Sequence, residues 1–570
     1  MATIHFNDTH IDNLVWNAIS QSDCSKDYES YLELFSNPIH DNDACNQIER
    51  LLHEPSDTSL ASACFSDAVA ELSQLAVAGD MTAQFFLGKC YGIGAGTEAN
   101  WDKAYTQYTL AGIQGELRGY ANIANAYHNG RGVEKIYTKA FEYFEKAYAI
   151  AHDGMVVWTL ARMYIHGYGV TKDVVKGIEL MMQEIELGDN YVQAIWGYMQ
   201  TVGDGIPENK QEGLINLLKA AESGDSYAQY TMGHNYEFAR GVDLDISKAI
   251  YWYRLAGNQG WWNAQAYLGS IYLIGEGVRQ DGAEGIKCLK VAALHGNEDA
   301  AYKIGLTFLN GIDAIPNAKE AFYWFKFSAD RGSIASTTRL AKMYEDGNGI
   351  EEDPVKANQL YLEAAKSGDQ WAQFCIGLRY WHADHLEKDL AQAFKWFSIS
   401  ALQGCSRAQV ALGDFCDQGY ACPKDGNKAM EWFRRAAEQG DVMGMDKLGY
   451  AYLFGRNVEV DYAEAATWLI KAADLGSADA SFYIGEMLRR GLGVTRNLGK
   501  ASQWMLDAAE KDYAPAQYVL GIMYAEGDGL EVNREEAFNW INKAAEQGDE
   551  DAKKWIAENV DDSYRQSVIP

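Results

Sequence analysis

The chain has 570 residues, more than one compact core needs; 48% are hydrophobic and only 8 are proline, so it can fold throughout and no Pro-rich linker divides it. Its formal net charge of −31 repels phosphate backbones and anionic lipid, which excludes nucleic acid and membrane surfaces as expected partners. That charge either attracts a basic partner or only maintains solubility, because the acids are spread along the chain and do not form a tail.

The first eight residues, Met1 to Asp8, have neither a basic start nor an apolar segment of the secretory kind, and no apolar run approaches the length of a transmembrane helix. A cytoplasmic protein is predicted. The nine cysteines agree, since their number is odd and they do not recur at one repeat position. Residues 1–43 carry helical patterns near Ile11–Ser20 and Asp27–Phe35 and are expected to form a helical N-terminal cap. Residues 44–79 read as a degenerate first repeat.

From residue 80 to 550 the chain repeats itself. A first helix reads Ala-x-x-x-Leu-Gly-x-x-Tyr, as in Ala264, Leu268, Gly269 and Tyr272 or Ala516, Leu520, Gly521 and Tyr524. Its small residue occurs thirteen times from Gly88 to Gly521, at steps of 36 residues with one of 37 between Ala124 and Ala161. A second helix reads Ala-x-x-Trp-x-x-x-Ala-Ala-x-x-Gly, as in Ala429, Trp432, Ala436, Ala437 and Gly440. Gly-x-Gly-Val/Ile forms the turn inside each unit, and Gly-Asp pairs such as Gly224-Asp225 and Gly548-Asp549 end one helix and cap the next. One such unit has too little core to fold alone, whereas stacked units bury a continuous core. The recurring tryptophans are read as part of that core. Beyond the array, Asp551–Asn559 continues the phase with Lys553, Lys554 and Glu558 on a polar outer face; residues 551–570 are predicted to be a C-terminal capping helix and a frayed tail.

These two motifs in alternation resemble the Sel-one-like repeat (SLR) family, a relative of the tetratricopeptide repeat, over roughly residues 80–556. The resemblance implies an all-α, right-handed superhelical solenoid of about thirteen 36-residue helix–turn–helix repeats, and a role as scaffold or adaptor.

Few residues suggest chemistry. His382, Asp384 and His385 form the one tight histidine group, but three ligands within four loop residues are hard to direct at one ion, and a solvated loop is expected. Cys416 and Cys422 fit neither a redox nor a zinc spacing. The Gly-x-Gly turns join helices and recur, so they are no dinucleotide fingerprint. No enzyme, cofactor or metal is predicted. In the tetratricopeptide relatives the concave face is lined by the residue three before the small position and the one after it. Carried over, the first column includes Trp158, Tyr230, Tyr302, Phe374 and Asp446, and the second Arg162, Tyr198, His234, Asp414 and Tyr450. Trp158, Arg162, Tyr198, Tyr230, His234, Tyr302 and Phe374 are the predicted partner-binding residues; the alternative for the aromatic column is packing between repeats. The expected function is binding of a protein, one of basic character being a candidate, on the concave face. The alternative is an acidic inhibitor or immunity protein that wraps a basic toxin or enzyme.

Overall fold

The apolar residues recur three and four apart, and the elements they form are helices. The computed structural model describes residues 8–20, 22, 25–35, 40–52, 63–312 and 316–559, and all regular structure among them is α-helical. Four helices lie ahead of the periodic part: α1 (Asp8–Ile19), α2 (Ser25–Leu34), α3 (Asp41–Leu52) and α4 (Ala63–Val77). The two helices expected before residue 43 are α1 and α2, displaced slightly toward the N-terminus. From Met81 onward first and second helices alternate; Trp262–Ile274 and Gly282–Leu294, each of 13 residues, are a representative pair. Among the described residues no helix is long and apolar enough to cross a membrane.

The punctuation works as its residue types require. Gly224 (φ +100°) and Gly548 (φ +98°) take the left-handed conformation, and the following Asp225 and Asp549 accept hydrogen bonds from the backbone N–H groups of Ala228 (2.7 Å) and Ala552 (2.8 Å). Within a pair, Gly275 (φ +74°) donates its N–H to the Ile271 carbonyl at 2.9 Å and stops the first helix. Where Gly-x-Gly is wholly replaced, Ala383 (φ +63°) and His385 (φ +53°) are held in the same left-handed geometry, as are Ala239, Ala421 and Asn457 where one glycine is missing, so the fold imposes the turn on residues that disfavour it.

The small position of each first helix is where its second helix crosses. A Cβ on Gly269 would lie 2.7 Å from Leu289 Cγ and 2.8 Å from the Gly285 carbonyl oxygen, and one on Gly521 would lie 2.9 Å from the Ala537 carbonyl oxygen. Between pairs, a buried glutamine next to the first-helix alanine ties neighbours together. Gln229, Gln409 and Gln517 each donate to a carbonyl near the end of the preceding second helix, those of Ala221, Ala401 and Ala509, at 3.1 Å. These bonds satisfy helix-end acceptors that burial would otherwise leave unpaired. The tryptophan row is partly core: Trp252 and Trp324 are buried, whereas Trp432, Trp468 and Trp540 are half-buried under Arg435, Lys471 and Lys543 at 4.2–4.6 Å from the ring centres.

Two units divide the chain, Met1–Ser336 with Asn348–Ile350, and Thr337–Gly347 with Glu351–Pro570. In the first, α1 to α3 reach well beyond the first repeat. Asp8 pairs with Arg118 at 2.7 Å, the Lys89 ammonium donates to the carbonyl of Leu34, Glu29 pairs with Arg331 at 2.5 Å, and Asp41 meets His295 at 2.5 Å. Ile11, Val15, Tyr28 and Tyr31 share one apolar cluster with Leu289, Leu294 and Phe327. The second unit ends in the helix Glu550–Asn559, which buries Ala552 beside Ile541 and Ala544 and leaves Lys553, Lys554 and Glu558 exposed. The tail expected after it lies in residues 560–570, outside the described residues.

Replacing Gly269 with Leu overfills a crossing that has no room for a methyl group. The expected loss is about 1–3 kcal/mol in urea unfolding followed by circular dichroism. An unchanged unfolding curve would remove the close crossing as a determinant of stability.

Candidate partner-binding surfaces

The seven predicted residues fall on first helices of both units, and burial separates them. Arg162 and Tyr198 are exposed; Trp158, Tyr230, His234 and Tyr302 are half-buried; Phe374 is buried, 7% exposed. Phe374 lies 5.9 Å from the Phe397 ring of its own second helix, in tilted contact. Tyr230 sits inside an aromatic group, 5.5 Å from Trp261, 6.0 Å from Tyr267 and 6.1 Å from Tyr253, so its ring seals the junction with the next repeat. His234 joins that group through Phe238 at 4.6 Å, and burial followed by the nearby Arg240 charge pulls its pKa down. Arg162 lies over the Trp158 ring at 5.8 Å. Of these seven, the first-column rings pack to differing degrees, and Arg162 and Tyr198 of the second column are exposed.

His382 ends the helix Gln370–His382, and Asp384 and His385 stand in the turn that follows. Asp384 and His385 are each about half exposed, 3.5 Å apart, and the His382 ring stacks on Trp381 at 4.8 Å.

The second unit holds a pocket of about 330 Å³ on the same two columns. Asp414 and Tyr450 each follow a small residue, Gly413 and Gly449, and Asp446 stands three before Gly449. Asp417, Asp479, Lys447, Arg456 and Tyr483 complete the polar wall, while Met430, Phe433 and Leu469 form the floor. Four carboxylates thus face two cations, and both cations are engaged. Lys447 pairs with Asp414 at 2.6 Å, and the Arg456 guanidinium lies over Tyr450 at 4.7 Å. Tyr450 and Tyr483 meet edge to face at 5.4 Å. Burial, then the neighbouring Asp479 and Asp441, raises the Asp446 pKa to about 6, although Ser477 donates to both its oxygens at 2.9 and 3.0 Å. Such a pocket offers negative charge and aromatic faces together, which suits a cationic side chain. The column residues were readable in the sequence; Asp417 and Asp479, supplied by a helix end and by the next repeat, were not marked by the repeat pattern.

Two predictions follow from burial and charge. Tyr230→Ala opens the sealed junction and is expected to cost about 2–4 kcal/mol, whereas Arg162→Ala and Tyr198→Ala change stability by less than about 0.5 kcal/mol. Denaturant midpoints of the three variants measure this, and a neutral Tyr230→Ala would return that ring to the surface. The second concerns pH. The Asp446 carboxyl has a folded pKa of about 6 against an ordinary 3.8, so the folded unit holds the proton more tightly and stability falls as pH rises through that interval. Asp446→Asn keeps an oxygen for Ser477 and removes this cost. Because the carboxyl is partly solvated, the variant is expected to exceed the wild type by about 1–2 kcal/mol near pH 7.5 and to match it near pH 4. Equal stabilities at both pH values would exclude a strained carboxylate.

Comparison with known proteins agrees with the helix pairs. The Sel1 repeat profile matches thirteen segments between residues 82 and 549. An uncharacterized Sel1-like repeat-containing protein of Schizosaccharomyces pombe is 36% identical over 77 residues, which are 13% of this chain and 11% of that protein. The match thus spans about a tenth of the length of that curated relative. Among solved structures, c5321, a protective antigen of uropathogenic Escherichia coli with an SLR fold, is 26% identical, with 88% of this chain and 92% of that one covered and a TM-score of 0.48. A Sel1 repeat protein from Oxalobacter formigenes is 28% identical over 54% of this chain and 90% of its own, with a TM-score of 0.43. Arrays of this repeat are typical of protein–protein interaction. With the repeat profile covering most of its length, the chain belongs to the Sel1 repeat family.

Proposed function

We propose that this protein is an interaction scaffold or adaptor that holds a partner protein through a cationic segment, and that it does not catalyse a reaction. The observation that carries the reading is the pocket around Asp446, where four carboxylates and two tyrosines converge and the two resident cations leave a surplus of negative charge. An arginine or lysine entering there meets Asp417, Asp446 and Asp479 and an aromatic face at Tyr450 or Tyr483. The exposed Arg162 and Tyr198 of the first unit, with His234, offer a second place for polar contacts along the partner. The overall charge of −31 speeds encounter with a basic protein and makes it salt-dependent. A soluble cytoplasmic setting fits this reading.

The test is affinity capture from the native host followed by binding titrations with wild type and an Asp417→Asn, Asp446→Asn double variant. A specific partner is expected whose affinity falls at least about tenfold in the variant and weakens with salt. Recovery of no specific partner, or of one that binds both forms equally, would refute the pocket reading. The same charge also favours neutralisation of a basic toxin or enzyme. In that case the captured partner has an activity that stoichiometric addition of this protein abolishes.

A further inference from the structure

Among the described residues one group of three metal-ligating side chains brings its donor atoms within 4.8 Å of one another: Asp41, Cys45 and His295. Asp41 and Cys45 are one helical turn apart on α3, so carboxylate and thiol point to the same side of the helix. His295 comes from far along the chain, at the end of the helix Gly282–Leu294. Its ring is fixed in place. The side chain is 4% exposed, Trp262 stacks on it with 3.7 Å between ring centres, and Nδ1 lies 2.7 Å from the Val291 carbonyl oxygen.

That last contact decides the chemistry. A carbonyl only accepts, so Nδ1 carries the proton, and in the neutral ring Nε2 presents a lone pair. Nε2 faces Asp41 Oδ1 at 2.5 Å. At that distance the two atoms share a proton, on the imidazole or on the carboxyl, and a metal ion that replaces it moves the donors to about 3.3 Å apart, as tetrahedral zinc ligands stand. Two features favour the metal. A thiol stands in the same triangle, which an ion pair does not need. The backbone carbonyl on the other ring nitrogen is the usual support of a metal-bound histidine.

We propose that Asp41, Cys45 and His295 bind a divalent cation of the zinc class, and that the ion fastens α3 to the repeat at residues 262–297. Thiolate, imidazole and carboxylate form a mixed donor set that suits zinc, and three protein ligands leave a fourth tetrahedral position for water. A cavity of about 490 Å³ opens onto the group and provides that access. Lys287 and Lys290 also line it; Lys287 is itself paired with Glu284 at 3.3 Å.

The experiment uses the full chain under reducing conditions. Cobalt(II) is titrated into wild type, Cys45→Ser and His295→Gln, each checked for unchanged helical circular dichroism. In wild type one equivalent is expected to bind with a thiolate-to-cobalt absorption that zinc displaces. That absorption should vanish in Cys45→Ser, and the affinity should fall by more than about tenfold in His295→Gln. Amide exchange in α3 should slow on zinc addition in wild type and in neither variant. No saturable cobalt absorption in wild type, or the same absorption in both variants, would overturn the site and leave Asp41 and His295 as a simple ion pair.

Discussion

Most helix pairs close at a glycine where a side chain does not fit, and Ala124, Ala161 and Ala341 hold that place in the others. At Gly233 the nearest atom to an added Cβ is Tyr253 Cδ1 at 2.7 Å, and at Gly413 it is Phe433 Cε1 at 2.5 Å. Backbone and ring are thus in direct contact, and the interaxial distance is set by the partner's side chain alone. The rest of the unit follows from this contact. The second helix must arrive at a fixed angle, so the turn between the helices must be left-handed twice, and the glycines there are a consequence of the crossing. The buried glutamines then join one closed pair to the next through a polar bond that cannot slide, because its acceptor is a single carbonyl.

The sequence made the array legible because the crossing recurs every 36 residues and leaves the same small residue each time. The Gly-Asp junctions were legible for a similar reason, since only a left-handed residue followed by an acceptor side chain satisfies both helix ends. The buried glutamine was equally periodic, at Gln229, Gln373, Gln409 and Gln517, yet polar residues beside an alanine read as surface until the carbonyl they serve is known. Burial of the aromatic column was legible only as an alternative to exposure. Phe374 and Tyr230 hold the same motif position and each meets the equivalent ring of its own second helix, Phe397 and Tyr253, but only Tyr230 is also covered by Trp261 and Tyr267 of the following repeat. The reach of α1 to α3 lay beyond any pattern, because a segment that occurs once leaves no period.

The pocket around Asp446 shows what variation within a repeat can achieve. The positions that elsewhere hold Tyr230 and His234 hold Asp446 and Tyr450 here, again on a first helix, Val442–Phe454. Charge replaces aromatic packing at one column while the other keeps a ring. Lys447 and Arg456 offset part of the cluster's charge, and the remaining repulsion shows at Asp446, where burial and then Asp479 raise the pKa.

The contact between Asp41 and His295 joins residues 254 apart in sequence. Glu29 with Arg331 shares this long reach, whereas the linkages within the array itself are between near neighbours, and such arrays fold piecemeal, from any repeat outward. Closing a flexible loop of that length costs about 5 kcal/mol of entropy. Once the intervening repeats have formed, the two ends are already held close and that cost is gone. Docking of α3 is therefore least costly once the repeats between have formed. A solenoid that would otherwise melt one pair at a time acquires a long-range check on its own completeness.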